Sequence, residues 1–284
     1  MVARNLPGLV NQVPALRKRH RLAGSLLALL TVLLSTGSSA QEHDADELSK
    51  QLSNPVASLI SVPFQSNLDF GAGADGDGFA YTLNTQPVVP FSLNDDWNLI
   101  SRTILPIGFR DYFPGDNVFG LGDVTQSLFF SPKAPGPGGL IWGVGPVFLL
   151  PTATDDFLGT GKFGAGPTGL ALVQEKAWTI GVLANHIWSV AGEGDRPDVD
   201  QTFLQPFLSY ALGGGRSVSL NAESTYDWER EQWTVPLNMT FSQVTQVGAK
   251  PVSFQVGVRY YAEAPEDGPQ WGLRAGITLL FPEK

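Results

Sequence analysis

The stretch from Trp271 to Phe281 constrains this chain more than any other. Trp271, Leu273, Ala275, Ile277, Leu279 and Phe281 share one parity, and Gly272, Arg274, Gly276 and Thr278 share the other. Successive side chains of a strand point to opposite faces, so one face is an unbroken apolar row that begins and ends on an aromatic ring. Such a strand is long enough to cross a bilayer at a tilt, with its rings at the two water interfaces. A soluble sandwich strand also alternates, so the weight falls on recurrence. Val218, Leu220, Ala222, Tyr226 and Trp228 form a second row, with Ser224 the only interruption. Trp233 to Phe241 and Val252 to Tyr260 give two more, and Trp178 to Val190 a fifth whose opposite face is less polar. Three of the five rows carry a ring at or beside both ends, which suits a lipid-facing strand better than a soluble one.

The N-terminal residues bear on compartment. Arg17-Lys-Arg-His-Arg21 is a basic cluster, residues 22–34 are a short apolar run, and Ser38-Ser39-Ala40 offers the small residues that a signal peptidase reads. Residues 1–40 are therefore expected to be an export signal, with maturation at Gln41. The apolar run is short for a spanning helix. The chain contains no cysteine, which excludes disulfides, thiolate metal sites and a lipid anchor on cysteine.

Removing the signal takes five basic and no acidic residues. Thirteen Lys and Arg then face 27 Asp and Glu, a net charge near −14. That balance disfavours nucleic acid, whose phosphates need clustered Lys and Arg. The acidic residues gather between the apolar segments, as at Asp155, Asp156, Asp195 and Asp198. Solvated loop charge is the favoured reading, with divalent cation binding as the alternative.

Helical periodicity is confined to 42–53, read as part of a periplasmic N-terminal segment over 41–54. From 55 to 284 the chain breaks into segments of barrel-strand length separated by Gly, Pro, Asp and Asn. The segments are 57–69, 79–92, 97–107, 120–131, 140–150, 163–173, 177–190, 202–212, 217–228, 233–243, 252–262 and 271–281. Together they predict an all-β, antiparallel transmembrane barrel of about twelve strands in the outer membrane. Long connections such as 108–119 and 151–162 are expected outside, and tight ones such as 94–96 and 174–176 in the periplasm. Two connections, 132–139 and 244–250, are long for periplasmic turns. Pro63, Pro87, Pro90, Pro146, Pro167, Pro206 and Pro236 fall inside proposed strands, where they cannot donate to a ladder; bulges or strand ends are expected there.

Several motifs carry a family resemblance. Gly120-Leu-Gly-Asp-Val-Thr-Gln-Ser-Leu-Phe-Phe-Ser-Pro132, the paired Gly143-Val-Gly-Pro146 and Gly164-Ala-Gly-Pro167, the opening Asn54-Pro-Val-Ala-Ser-Leu-Ile-Ser-Val-Pro-Phe-Gln-Ser-Asn67 and the ending Ile277-Thr-Leu-Leu-Phe-Pro282 resemble the transporter-like outer-membrane family labelled putative meta-pathway phenol degradation. The resemblance covers most of residues 47–284. It implies a Gram-negative outer-membrane barrel that moves small, hydrophobic or aromatic molecules, and it brings no catalytic residues.

The residues themselves suggest little chemistry. His43 has no partners at metal-ligand spacing. His186 shares the apolar parity of its strand, and Ser189 falls on the other face, so a serine–histidine pair would need a neighbouring strand. Residues 71–78 are Gly-rich but lack the spacing of a calcium or phosphate loop. No enzyme activity, cofactor or metal is expected. Arg102, Asp123, Glu223, Arg259 and Arg274 fall opposite the apolar rows and are the candidates for lining the lumen, because charge there needs water or an ion partner. Arg259 and Arg274 are expected to lie at similar depth as a basic patch, sustained by Glu223, Asp123 or a passing anion. The expected partners are outer-membrane lipid and a small-molecule solute. Passive transport leads, with a membrane-embedded lipid hydrolase and a structural or adhesive barrel left open.

Overall fold

The computed structural model describes residues 39–111 and 117–282. The expected signal peptide lies almost wholly outside the described residues. A helix α1 (Ser39–Leu52) precedes fifteen strand segments. These are β1 (Ile60–Ala72), β2 (Gly78–Thr85), β3 (Val88–Ser92), β4 (Trp97–Arg110), β5 (Val118–Leu121), β6 (Val124–Pro132), β7 (Leu140–Leu150), β8 (Lys162–Glu175), β9 (Trp178–Gly192), β10 (Asp200–Gly213), β11 (Arg216–Ala222), β12 (Ser224–Asp227), β13 (Gln232–Val247), β14 (Lys250–Glu263) and β15 (Trp271–Phe281). The pairs β2/β3, β5/β6 and β11/β12 are single staves interrupted once, which leaves twelve. Each stave pairs antiparallel with its sequence neighbours, and β1 closes on β15 from Ile60↔Phe281 to Phe70↔Trp271. Closure removes every unpaired edge, the condition for β-structure in hydrocarbon.

Side-chain burial follows the alternation. On β15, Trp271, Leu273, Ile277, Leu279 and Phe281 are exposed and Gly272, Arg274, Thr278 and Leu280 are buried. The exposed large apolar residues of the other staves continue that outer belt, among them Leu220, Met239, Val258 and Ile180. Rings gather at its two rims. Phe70 stacks on Trp271 with centroids 4.7 Å apart and meets Phe79 at 5.3 Å. At the opposite rim Trp178 meets Tyr210 at 4.5 Å, and Trp97 meets Trp142 at 5.8 Å. An apolar exterior between two aromatic girdles is the outside of an outer-membrane barrel, because only lipid makes that surface favourable.

The connections at one end include the long 151–161, and those at the other are mostly tight turns, extracellular and periplasmic respectively in barrels of this kind; 228–231 is the short exception at the first end. The 244–250 connection is shorter than the sequence suggested. Strand β13 runs on to Val247 and pairs Val247↔Lys250, leaving a tight turn with Gly248 at φ +64°. The 132–139 connection keeps its length and holds a short 3-10 turn at Pro137–Gly139.

Most strand prolines sit where ladders lapse. Pro87 lies in the break between β2 and β3, and Pro236 at a register shift in β13. Pro146 and Pro167 face each other across β7 and β8. The outer ladder of each strand skips there, between Ser127↔Val147 and Phe130↔Val144 and between Ala165↔Trp188 and Thr168↔Asn185. The preceding glycines are required: a Cβ on Gly145 would strike the Leu128 carbonyl, and one on Gly166 the His186 carbonyl. Pro206 marks the step from β11 to β12. Pro63 and Pro90 also keep one ladder, opposite Thr278 and Ile100, and lack the other: Pro63 faces the β2/β3 break and Pro90 lies beyond the Ser61↔Val88 pair.

Candidate functional site: the lumen and its two walls

The inward parity divides the barrel in two. Around β4 to β10 it carries an apolar cluster set among polar residues such as Asn98, Ser127, Thr168, Thr179 and Ser209. Ile100, Phe129, Leu170, Leu172 and Leu183 pack with Val56 into a buried cluster, flanked by Val88, Ile141, Phe203 and Phe207. This explains the weak alternation of the Trp178–Gly192 strand, whose inward residues face other apolar side chains rather than water. Around β11 to β1 the inward parity carries Ser217, Asn221, Glu223, Asn238, Thr240, Ser253, Gln255, Arg259, Arg274, Thr278, Asn67 and Asp69.

The charges of this polar wall form one network. Arg274 grips Glu223 with both terminal nitrogens, at 2.9 and 2.8 Å, and its Nε donates to Asn67 Oδ1 at 2.8 Å. This fork–fork geometry is the strong form of the ion pair. Arg259 lies 3.6 Å from Asp69 and 4.0 Å from Glu223. Glu223 can reach both arginines because it occupies the break between β11 and β12, where its backbone N–H donates to the Pro236 carbonyl. Arg259 pairs with Gly272, and Arg274 with Gly257. The two arginines are thus diagonal neighbours, each opposite a glycine that leaves room for a guanidinium. Of the partners expected to sustain a basic patch here, Glu223 does so and Asp123 does not, and with Asp69 the patch becomes a mixed-sign cluster, because like charges this close persist only when shared carboxylates neutralise them. Asp69, absent from the sequence candidates, completes it. Its signal was the alternation Ser61, Pro63, Gln65, Asn67, Asp69 along β1.

The other two candidates lie elsewhere. Arg102 projects inward from β4 near the boundary of the two walls, and its Nη2 donates to Gln86 Oε1 at 3.2 Å. Asp123 lies in the bend between β5 and β6 and accepts from Ala153 N, Thr160 N and Thr160 Oγ1 at 3.1, 2.6 and 2.8 Å. It therefore anchors the extracellular connection 151–161 rather than joining the arginine cluster. That connection folds inward, with Thr154 and Leu158 filling the space over Gly108, Gly120 and Gly122. Arg196, from the next connection, donates to the carbonyls of Asp156, Gly159 and Thr160 and holds it down.

At the end that carries the short turns, α1 packs against the barrel. Ala45, Leu48 and Leu52 share one helix face and pack on Leu59, Val244 and Leu280; polar Glu47 and Gln51 lie one turn apart elsewhere on the helix. Hydrogen bonds fasten the helix to the rim: Gly215 N donates to Asp46 Oδ1 at 2.7 Å, and Gln174 Nε2 to the Lys50 carbonyl at 2.9 Å. Just past the helix, Ser53 Oγ lies 2.9 Å from Thr179 Oγ1. Gly215 is doubly constrained, with φ +73° and Ala45 where its side chain would be. Above the helix two adjoining cavities of about 250 Å³ each open into the lumen, and Arg102 lines both.

One polar group interrupts the outer belt. His186 lies opposite Thr202 in the β9–β10 ladder, with Nδ1 2.7 Å from Thr202 Oγ1. Its Nε2 lies 3.0 Å from Asp200 Oδ1 without an aligned hydrogen bond. Trp228 Nε1 donates to the same Thr202 oxygen at 2.9 Å, and the Trp188 ring lies 4.0 Å from the imidazole. Ser189 is not part of this group; its hydroxyl donates to Asp198. Among the described residues, no group of three or more His, Asp or Glu is placed to hold a metal ion.

No known protein family matches the chain, and no curated protein matches it in sequence. Solved structures do. The COG4313 outer membrane channel from Pseudomonas putida F1 superposes with a TM-score of 0.61 at 15% identity, over 78% of this chain and 94% of that one. KdgM porin aligns at 0.46 and 10% identity, over 78% and 99% of the two chains. The β domain of the Bordetella autotransporter BrkA aligns at 0.45 and 14% identity, over 79% and 100%. None of these comparisons carries the phenol-degradation label. At this identity the first likeness establishes the fold, a closed twelve-stranded outer-membrane barrel.

Proposed function

We propose that this protein is an outer-membrane channel for small solutes, held closed at the periplasmic end by its own N-terminal helix. The observation that carries the reading is the polar, ion-paired wall that leads down to cavities floored by α1. A structural barrel has no need of an interior that suits water on one side and apolar matter on the other. The likeness to a solved channel adds support. The family resemblance favours hydrophobic or aromatic solutes, and the apolar wall of β4 to β10 suits them.

Conductance in planar bilayers tests the proposal. Leu48→Asp with Leu52→Asp puts charge into the contact between α1 and the rim, so the variant is expected to conduct more, and for longer, than the wild type. A folded variant as silent as the wild type sinks the channel reading. The lipid-hydrolase reading retains one observation, the Thr202–His186 pair on adjacent strands at hydrogen-bond distance. Ester turnover in lipid vesicles, abolished by His186→Ala, would establish it.

A further inference from the structure

Of the inward arginines, Arg259 and Arg274 each have a carboxylate within 4.0 Å. Arg102 has none among the described residues. Its recorded hydrogen bond goes to the neutral amide of Gln86, and the carboxylate of Glu223 is already gripped on both oxygens by Arg274. The nearest counter-charge acting on Arg102 is that same Glu223, which does not touch it; a guanidinium in a buried cavity with no carboxylate in contact is under-compensated, and an incoming anion relieves it. The surroundings of Arg102 have two characters. Gln205 and Asn221 lie on one side of the cavities it lines, and Leu183 and Phe207 on another. A volume of about 250 Å³ falls just below the range of drug-sized sites, about 300–1,000 Å³, so the occupant is small.

We propose that these cavities form a binding site for a small monocarboxylate with an apolar body, its carboxylate on the Arg102 guanidinium and its body against Leu183 and Phe207. Arginine suits this role because its planar fork matches a carboxylate at two points. The amides of Gln86, Gln205 and Asn221 supply further donors, and the one carboxylate lining the cavities, Glu223, is held on both oxygens by Arg274. A dianion would find no second unpaired arginine there, and a cation would meet Arg102 directly. The inference rests on the channel reading only in treating the ligand as a transported solute; binding itself does not require conduction.

Isothermal titration of the full-length protein, folded in detergent, tests it with benzoate, the neutral benzyl alcohol and the cationic benzylamine. Benzoate is expected to bind about tenfold or more tighter than benzyl alcohol, the effect of one charge-assisted contact. Arg102→Gln is expected to erase that preference, and Arg102→Lys to keep part of it, with heat-modifiable gel migration confirming that both variants fold. Equal affinity for benzoate and benzyl alcohol, or an unchanged preference in folded Arg102→Gln, overturns the proposal. Should Arg102→Gln fail to fold, the wild-type comparison of the three ligands and the Lys variant decide. Binding without conductance would sink the channel reading and leave this site standing; conductance without benzoate preference would do the reverse.

Discussion

The two walls of the lumen solve one problem by opposite means. Both line the inside of the same closed sheet, and both must satisfy or exclude polar atoms. The wall from β4 to β10 excludes them from one cluster, packing Ile100, Phe129 and Leu183 so that none is more than 2% exposed, and keeps only small neutral groups such as Ser127, Thr168 and Thr179 around it. The wall from β11 to β1 keeps charge and satisfies it locally, leaving Arg274 only 4% exposed because Glu223 and Asn67 take its donors. The apolar wall tolerates loss in proportion to volume. The polar wall tolerates no loss of a single partner, since what remains is a buried charge.

The largest expected effect is therefore in the network. Glu223→Ala strands Arg274 and weakens the hold on Arg259, and should destabilise the barrel by about 3–5 kcal/mol, read from the urea midpoint of the folded form. A loss below about 1 kcal/mol would mean that water already shares the site. On the other wall Leu183→Ala should cost about 2–5 kcal/mol, scaling with the cavity left behind. Leu220→Arg, on the lipid face, should cost about 2–4 kcal/mol near the bilayer midplane, whereas Asn221→Arg, one residue on and facing the lumen, should cost much less. Similar penalties at these neighbours would show that inside and outside have been misassigned. Replacing both members of the central pair, Glu223→Leu with Arg274→Met, should return stability to within about 1 kcal/mol of the parent, which separates the value of the pair from the penalty of an orphaned charge.

The smallest effect lies outside the membrane, at Asp198. The Lys162 ammonium, 3.0 Å away, and the Ser189 hydroxyl hold its carboxyl below the usual carboxylate range. A depressed folded-state value means that the contact is fully present above the unfolded value, about pH 3.9, and is lost as pH falls through the lower folded value. Hydrogen exchange of the 193–199 connection should accordingly stay constant from pH 8 to pH 5 after correction for intrinsic rates. Loss of protection within that window would place control elsewhere.

The barrel was legible because its physics is local. Period-two alternation needs only the pleat and a two-sided environment, so all twelve staves lie where the segments did, and β7 and β15 begin and end on the expected residues. The strand prolines were legible as faults in the ladder, though not which ladder each would open. Parity alone could place Arg102, Glu223, Arg259 and Arg274 on the inward face and suggest Glu223 as a partner of the last two, but it could not supply the remaining partners. Asp69 joins Arg259 across β15, and Asp123 turns to the 151–161 connection instead of the cluster. Such contacts depend on register and on where a loop folds, which no short-range pattern records.

By itself, then, the sequence determined the fold class, the strand positions and the face each side chain takes, because alternation against lipid leaves a strand one workable register of faces. Only the tertiary structure decided that the arginines are neutralised, that an apolar cluster fills the inside of β4 to β10, that α1 packs against the barrel and that no carboxylate touches Arg102. Each is a relation between residues far apart in the chain, set by closure of β1 on β15 and by the packing it enforces.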